Sequence, residues 1–138
     1  MWSNFDYWWI WGLCIVAGSA LAIWWLASPS TGIAPDLKGR VRYVVDGDSL
    51  YIDGHKPQIR LWGVDAPEKS ESGFEAAKKA LAGFFHGRHI SCQLMDTDKY
   101  GRTVARCFLS DGREINRMMI ESGTASEYMR FSKGFYRN

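Results

Sequence analysis

Four short islands of this 138-residue chain hold side chains able to act on a charged substrate. They are Asp46-Gly47-Asp48-Ser49, the run from Arg60 to Glu68, Asp98-Lys99-Tyr100-Gly101-Arg102, and Gly123 to Ser132. Taken singly, each has an ordinary reading. Asp46-Gly47-Asp48 is a turn, and it fails the EF-hand pattern because Leu50 stands at the next ligand position. Asp65-Ala66-Pro67-Glu68 is a helix cap or exposed turn, and Arg60 a cross-strand charge.

Taken together they point to chemistry. A hairpin loop of Asp53, Gly54 and His55 sets Ile52 against Lys56 and Asp48 against Arg60. Arg60 and Asp65 fall on opposite faces of a straight strand, so a shared site needs a bend, and Gly63 is where one is easiest. Pro67 stiffens the exit, letting Asp65 and Glu68 turn back toward Asp48. Three carboxylates and an arginine then converge. Oxygen donors without a nearby His or Cys suit Ca²⁺ or Mg²⁺ rather than zinc. Such an ion beside arginines and a spare carboxylate is equipment for hydrolysing a phosphodiester: the cations neutralise the phosphate and the carboxylate activates water.

Elements that would hold these islands can be read along the chain. Val41 to Val45, Ser49 to Ile52 and Gln58 to Val64 read as strands, then Phe74, Ala77, Leu81, Phe84 and Phe85 recur at helical spacing up to Gly87. Ile90 to Met95 and Thr103 to Leu109 form a second strand pair, and Ile115, Met118, Met119 and Ser122 mark a second helix stopped by Gly123. The order βββαββα predicts an α+β domain: a small closed barrel of OB type with two helices. Cys92 and Cys107 each sit inside one arm of the second pair, as a disulfide candidate in an oxidising compartment or as two buried thiols otherwise.

The chain has two parts with different solvents. Of 17 basic and 15 acidic residues, none basic and only Asp6 and Asp36 fall in residues 1–37, and six of the seven tryptophans lie before residue 26. Tyr7 to Ala27 is uncharged and as a helix would reach roughly 31 Å, enough to span a bilayer, with Trp8, Trp9 and Trp11 at one interface and Trp24 and Trp25 at the other. Met1 to Asp6 lacks the basic start of a cleaved signal. We therefore expect a transmembrane anchor over 1–27, a linker over 28–37 and the domain over 38–138. Cys14, Gly18 and Ala22 put small residues on one face for a helix partner in the membrane.

The motifs Val45-Asp46-Gly47-Asp48-Ser49-Leu50, Ile59-Arg60-Leu61, Val64-Asp65-Ala66-Pro67-Glu68 and Lys99-Tyr100-Gly101-Arg102 resemble, in order and spacing, those of the staphylococcal (thermonuclease-like) nuclease family. The resemblance covers roughly residues 39 to 132. It implies an OB-fold barrel cleaving DNA and RNA with one Ca²⁺. It implies Asp48, Asp65 and the backbone carbonyl of Ala66 as metal ligands, with Asp46 supporting them. Glu68 becomes the general base and Arg60 and Arg102 the phosphate-binding pair. Lys99, Tyr100 and Tyr128, with Phe131, become substrate contacts. Family members usually continue into a further helix, so the resemblance leaves three expectations for that side: a truncated gene product, a second chain completing the fold, or a domain steadied by its neighbours.

Two function classes follow. One is a membrane-anchored calcium nuclease; the other is a tethered OB module that binds nucleic acid without turnover. Lys38, Arg40 and Arg42 after the span favour a cytoplasmic domain by charge counting. The scarcity of cytosolic calcium and the harm of a loose nuclease favour the periplasmic or extracellular side, which is the expectation adopted.

Overall fold

A computed structural model describes residues 35–137. The expected anchor at Tyr7 to Ala27, its small-residue face and most of the linker lie outside the described residues. Among the described residues no helix is long and apolar enough to cross a membrane.

The chain forms β1 (Leu37–Val44), β2 (Ser49–Ile52), β3 (Ile59–Leu61), β4 (Val64–Asp65), α1 (Phe74–Phe85), β5 (His89–Thr97), β6 (Thr103–Leu109), α2 (Ile115–Glu121), β7 (Ser126–Glu127) and α3 (Met129–Ser132). Five strands close into a barrel in the order β1-β2-β3-β6-β5, and β4 pairs with β7 in a two-stranded sheet. The α+β, OB-type barrel is thus the architecture the periodicity predicts, with a third short helix and the β4–β7 pair added. Alternation shows why these segments become strands. Along β6 every second residue is buried, from Thr103 through Ala105 and Cys107 to Leu109, filling one side of the sheet with apolar groups. In α1, Ala77, Leu81 and Phe85 recur at helical spacing and are fully buried. Leu81 and Phe85 each contribute on the order of 1.5–3 kcal/mol by leaving water.

Three expectations need correction. Predicted strand Gln58 to Val64 is split into β3 and β4 by a bend at Trp62-Gly63. Gly63 has φ 69°, and a Cβ there would lie 3.1 Å from Ser132 Cβ, so neither the backbone conformation nor the space admits a larger residue easily. The β2–β3 register is also one residue off, for Ser49 rather than Asp48 stands opposite Arg60, and Leu50 opposite Ile59. Pro57 has no N–H to donate, so the ladder begins only after it and the connection is longer than a three-residue loop. Finally, β1 begins at Leu37, the last residue of the expected linker.

Cys92 and Cys107 are directly opposite one another on β5 and β6, fully buried and joined as a disulfide. Asn116 supplies the other internal tie. Fully buried, it accepts the Cys107 N–H at 3.0 Å and donates to the carbonyls of Trp62 (2.9 Å) and Ala105 (3.1 Å). One amide thereby fixes α2 to β6 and to the bend after β3. A buried polar group so fully paired is stabilising, whereas the same group unpaired would cost about 1–3 kcal/mol.

Candidate active site

The turn between β1 and β2 carries Asp46, Gly47 and Asp48. Gly47 is pressed against α1 and the β4 exit: a Cβ there would come within 2.5 Å of Ala77 Cβ and 2.6 Å of Ala66 Cβ. Glycine is what lets helix, turn and exit meet, and the meeting buries Asp48. Asp46 Oδ1 accepts the Asp48 N–H at 3.1 Å, closing the turn. The Asp48 carboxylate accepts the Ser49 hydroxyl at 2.9 Å and the Ala66 N–H at 3.1 Å, and forms an ion pair with Arg60. The predicted Asp48–Arg60 pairing therefore forms diagonally, from adjacent ladder positions. Burial pushes the Asp48 carboxyl up to about 6, against the lowering by Arg60; the Asp46 charge adds to the rise.

Past the Gly63 bend, Asp65 and Glu68 line a cavity of about 710 Å³ together with Arg60 and Arg102. Lys99, Tyr100, Tyr128 and Phe131 line the same cavity. Tyr128 and Phe131 meet edge to face with centroids 5.0 Å apart, and Tyr100 is 72% exposed, so the cleft joins a charged floor to ring surfaces open to a base. Among the described residues no three His, Cys, Asp or Glu side chains form one ion-holding group. The expected convergence of Asp48, Asp65 and Glu68 is thus not seen. Asp48 is taken up by Arg60, Ser49 and the Ala66 N–H, while Asp65 and Glu68 face the cavity.

Several residues shape this site in roles that the motifs do not disclose. Asp98 is the organiser of the Lys99-Tyr100-Gly101-Arg102 loop. Its Oδ1 accepts the N–H of Tyr100 at 2.9 Å and of Arg102 at 3.0 Å, and its Oδ2 accepts Arg102 Nε at 2.7 Å. Desolvation raises its pKa, but the hydrogen bonds from Arg102 and Tyr100 prevail and hold it below its ordinary value. The β5–β6 register shifts between Leu94 and Asp96, and this bulge leaves Met95 lining the cavity. Arg130 of α3 lines it too.

The wall formed by Tyr128 and Phe131 is held from behind. Glu127 accepts the Ser132 hydroxyl and the Tyr136 N–H, and the Tyr136 hydroxyl donates to Glu114 at 2.7 Å. Glu114 in turn receives two hydrogen bonds at 2.8 Å from Arg106. A helical spacing argument ending at Gly123 could not reveal these ties, which join residues far apart in sequence. The repeated aromatics after Ser126 were the available sign.

Comparison with known proteins agrees with this geometry. The family model described as staphylococcal nuclease homologue matches residues 58–137. The chain is 34% identical over 122 residues to Protein ParB of Escherichia coli, covering 81% of this chain and 67% of that protein. It is 34% identical over 122 residues to the succinoglycan biosynthesis protein ExoI of Rhizobium meliloti (strain 1021), covering 80% and 62%. To an uncharacterized endonuclease of Escherichia coli O157:H7 it is 29% identical over 102 residues, covering 72% and 67%. The chain thus spans about two thirds of the length of these relatives. The matched stretch runs from the strand bearing Arg60 to the segment that walls the cleft, and with it the chain belongs to the staphylococcal nuclease family.

Proposed function

We propose that the chain is a calcium-dependent nuclease that hydrolyses phosphodiester bonds of DNA and RNA with little regard for the sugar. The observation that carries this reading is the single cavity in which Arg60, Arg102, Asp65 and Glu68 all take part, with Asp48 ion-paired to Arg60. Nuclease names among the relatives point the same way.

By their chemistry the donors suit a hard ion, although in this structure Asp48 is engaged by Arg60 and does not converge with Asp65. Asp48, Asp65 and the Ala66 carbonyl offer oxygen alone, and no thiolate or imidazole stands among the residues lining the cavity. These three would hold Ca²⁺, with water completing its shell, and Asp46 supports Asp48 through the turn. When bound, the ion supplies positive charge for the oxygens of the scissile phosphate. Arg60 and Arg102 orient that phosphate and stabilise the negative charge that grows on its non-bridging oxygens. Glu68 takes a proton from the attacking water. Arginine keeps its proton at any physiological pH, so protonation of the leaving oxygen falls to water. Lys99 and Tyr100 would contact the neighbouring phosphate and base, and Tyr128 and Phe131 would give a stacking surface.

In this reading Tyr7 to Ala27 anchors the chain in a bilayer and the domain acts on the periplasmic or extracellular side, where calcium is plentiful and a disulfide persists. A helix partner in the membrane would fit the same arrangement. Protease added to intact cells should remove the domain.

The deciding experiment measures acid-soluble nucleotide released from DNA and from RNA by the detergent-solubilised full chain, with calcium and with chelator. Calcium-dependent release from both supports the proposal. Retention of nucleic acid without release would select the tethered binding module instead.

A further inference from the structure

β1 carries three basic residues and no acidic one, and Lys38, Arg40 and Arg42 are all exposed on its outer side while Val41 is buried in the core. Strict alternation would then turn Tyr43 inward. It does not, because the β1–β2 register shifts from Val41↔Ile52 to Tyr43↔Tyr51. The bulge sets Arg42 and Tyr43 on the same outer wall, facing one residue of β2. The Arg42 guanidinium lies over the Tyr51 ring, 5.9 Å from its centroid. Tyr43 and Tyr51 are 6.5 Å apart, and the Lys78 ammonium from α1 lies 6.0 Å from the Tyr43 centroid. The result is a ladder of cation, ring, ring and cation, with Tyr43 54% exposed.

The ladder lies on β1 and on β2, the strand next to the one that bears Arg60. Tyr51 is two positions along β2 from Ser49, and Ser49 stands opposite Arg60. Positions two apart share a face roughly 7 Å apart, so Tyr51 and Arg60 lie on the same side of the sheet, with Ser49 buried between them.

We infer that the outer wall of β1, from Lys38 to the Tyr43–Tyr51 pair, is a second contact surface for single-stranded nucleic acid that carries the strand onward from the cleft; this rests on the nuclease reading above. Charge complementarity selects a polyanion. The interleaving of rings with cations selects one that has bases, since base-aromatic stacking and phosphate pairing alternate along such a strand. A membrane surface is the competing occupant, since interfacial tyrosines and cations also meet headgroups, and the vesicle measurement below separates the two.

The test uses the detergent-solubilised full chain carrying Glu68→Gln to slow turnover, and measures binding of single strands of about 16 and about 4 nucleotides across a salt series. Arg40→Gln, Arg42→Gln and Lys78→Gln together should weaken the long strand at least tenfold and the short one less than twofold. Each lost phosphate contact should also remove about 0.7 from the slope of log affinity against log salt, about 2 in all. Arg40→Lys with Arg42→Lys should keep the slope. If the triple variant does not fold, Arg40→Gln alone should still remove about 0.7. An unchanged slope on the long strand overturns the inference, as does an equal loss on both lengths. Loss of binding to phosphatidylglycerol vesicles with nucleic-acid binding intact would overturn it too, assigning the wall to lipid. Absence of hydrolysis by the unsubstituted chain, with these binding differences intact, would refute the nuclease reading and leave this surface standing.

Discussion

Asp98 Oδ2 accepts the Nε–H of Arg102 at 2.7 Å and so holds the guanidinium by that edge. The same carboxylate fixes the backbone of the loop through Tyr100 and Arg102. Asp98→Ala should therefore lower kcat/KM about 10- to 100-fold, the worth of a hydrogen bond to a charged group, with kcat falling more than KM. Asp98→Asn keeps an acceptor for the loop amides and should recover part of the loss. A purely structural role would instead lower the active fraction and leave both constants of the folded enzyme unchanged.

Glu68 faces the cavity without an ion-pair partner among the described residues. General-base catalysis supplies on the order of 10² to 10⁴ in rate, so Glu68→Gln should lower kcat by that factor while calcium and DNA binding stay close to normal. Full turnover by this variant, measured under saturating substrate, would remove Glu68 from the mechanism.

Protonation of Asp48 should make the metal-free protein more stable as pH falls. Its folded pKa, about 6, lies above its usual value of 3.8. The folded chain thus holds this proton the more tightly, and the stability so gained is full below the unfolded pKa and lost as pH rises through about 6. In chelator above that pH, Asp48→Asn should remove the pH-dependent loss of stability that ionisation of Asp48 brings, while leaving the Arg60 charge buried without its partner. It should also flatten the pH dependence between about 4 and 6, and weaken the apparent affinity for calcium. Urea titrations at several pH values measure the first two.

The Cys92–Cys107 disulfide closes a loop with sequence separation 15. In the chain-entropy model such a loop is worth roughly 3 kcal/mol, so reductant or Cys92→Ala with Cys107→Ala should lower the urea midpoint accordingly. Equal midpoints with and without reductant would show that the cross-link adds nothing.

Much of this was legible where local pattern and tertiary structure agree. The buried positions of β6 alternate without a break, and Ala77, Leu81 and Phe85 repeat at the helical period, so one-dimensional periodicity reports the core directly. The Asp48–Arg60 pairing was legible as a pair, but its register was not, because loop length depends on which residues can enter the ladder and Pro57 cannot. The role of Asp98 hid inside a tight turn, where an aspartate capping its own loop looks like any turn residue. Glu114 and Tyr136 are 22 residues apart and become partners only once α2 and the segment after α3 share a wall of the barrel. The Met95 and Tyr43 bulges defeat alternation, and each re-aims a side chain that alternation would turn to the other face.

The parallel seam between β3 and β6 has a kinetic meaning. Ile59 pairs with Thr103, so this seam joins segments separated by α1 and all of β5, and the β1–β5 seam, with Leu37 opposite Cys92, joins segments further apart still. Contacts of such long sequence separation form late, after the loop-closure entropy has been met by other structure. Arg60 and Arg102 flank this seam on either side, and neither faces the common cleft until it shuts. Pairing of β3 with β6 and assembly of the arginine pair are one event, so a chain in which this seam is open holds half of the phosphate-binding apparatus at most. Activity regained during refolding should therefore lag behind the early helix signal and rise with the slow phase that completes the sheet.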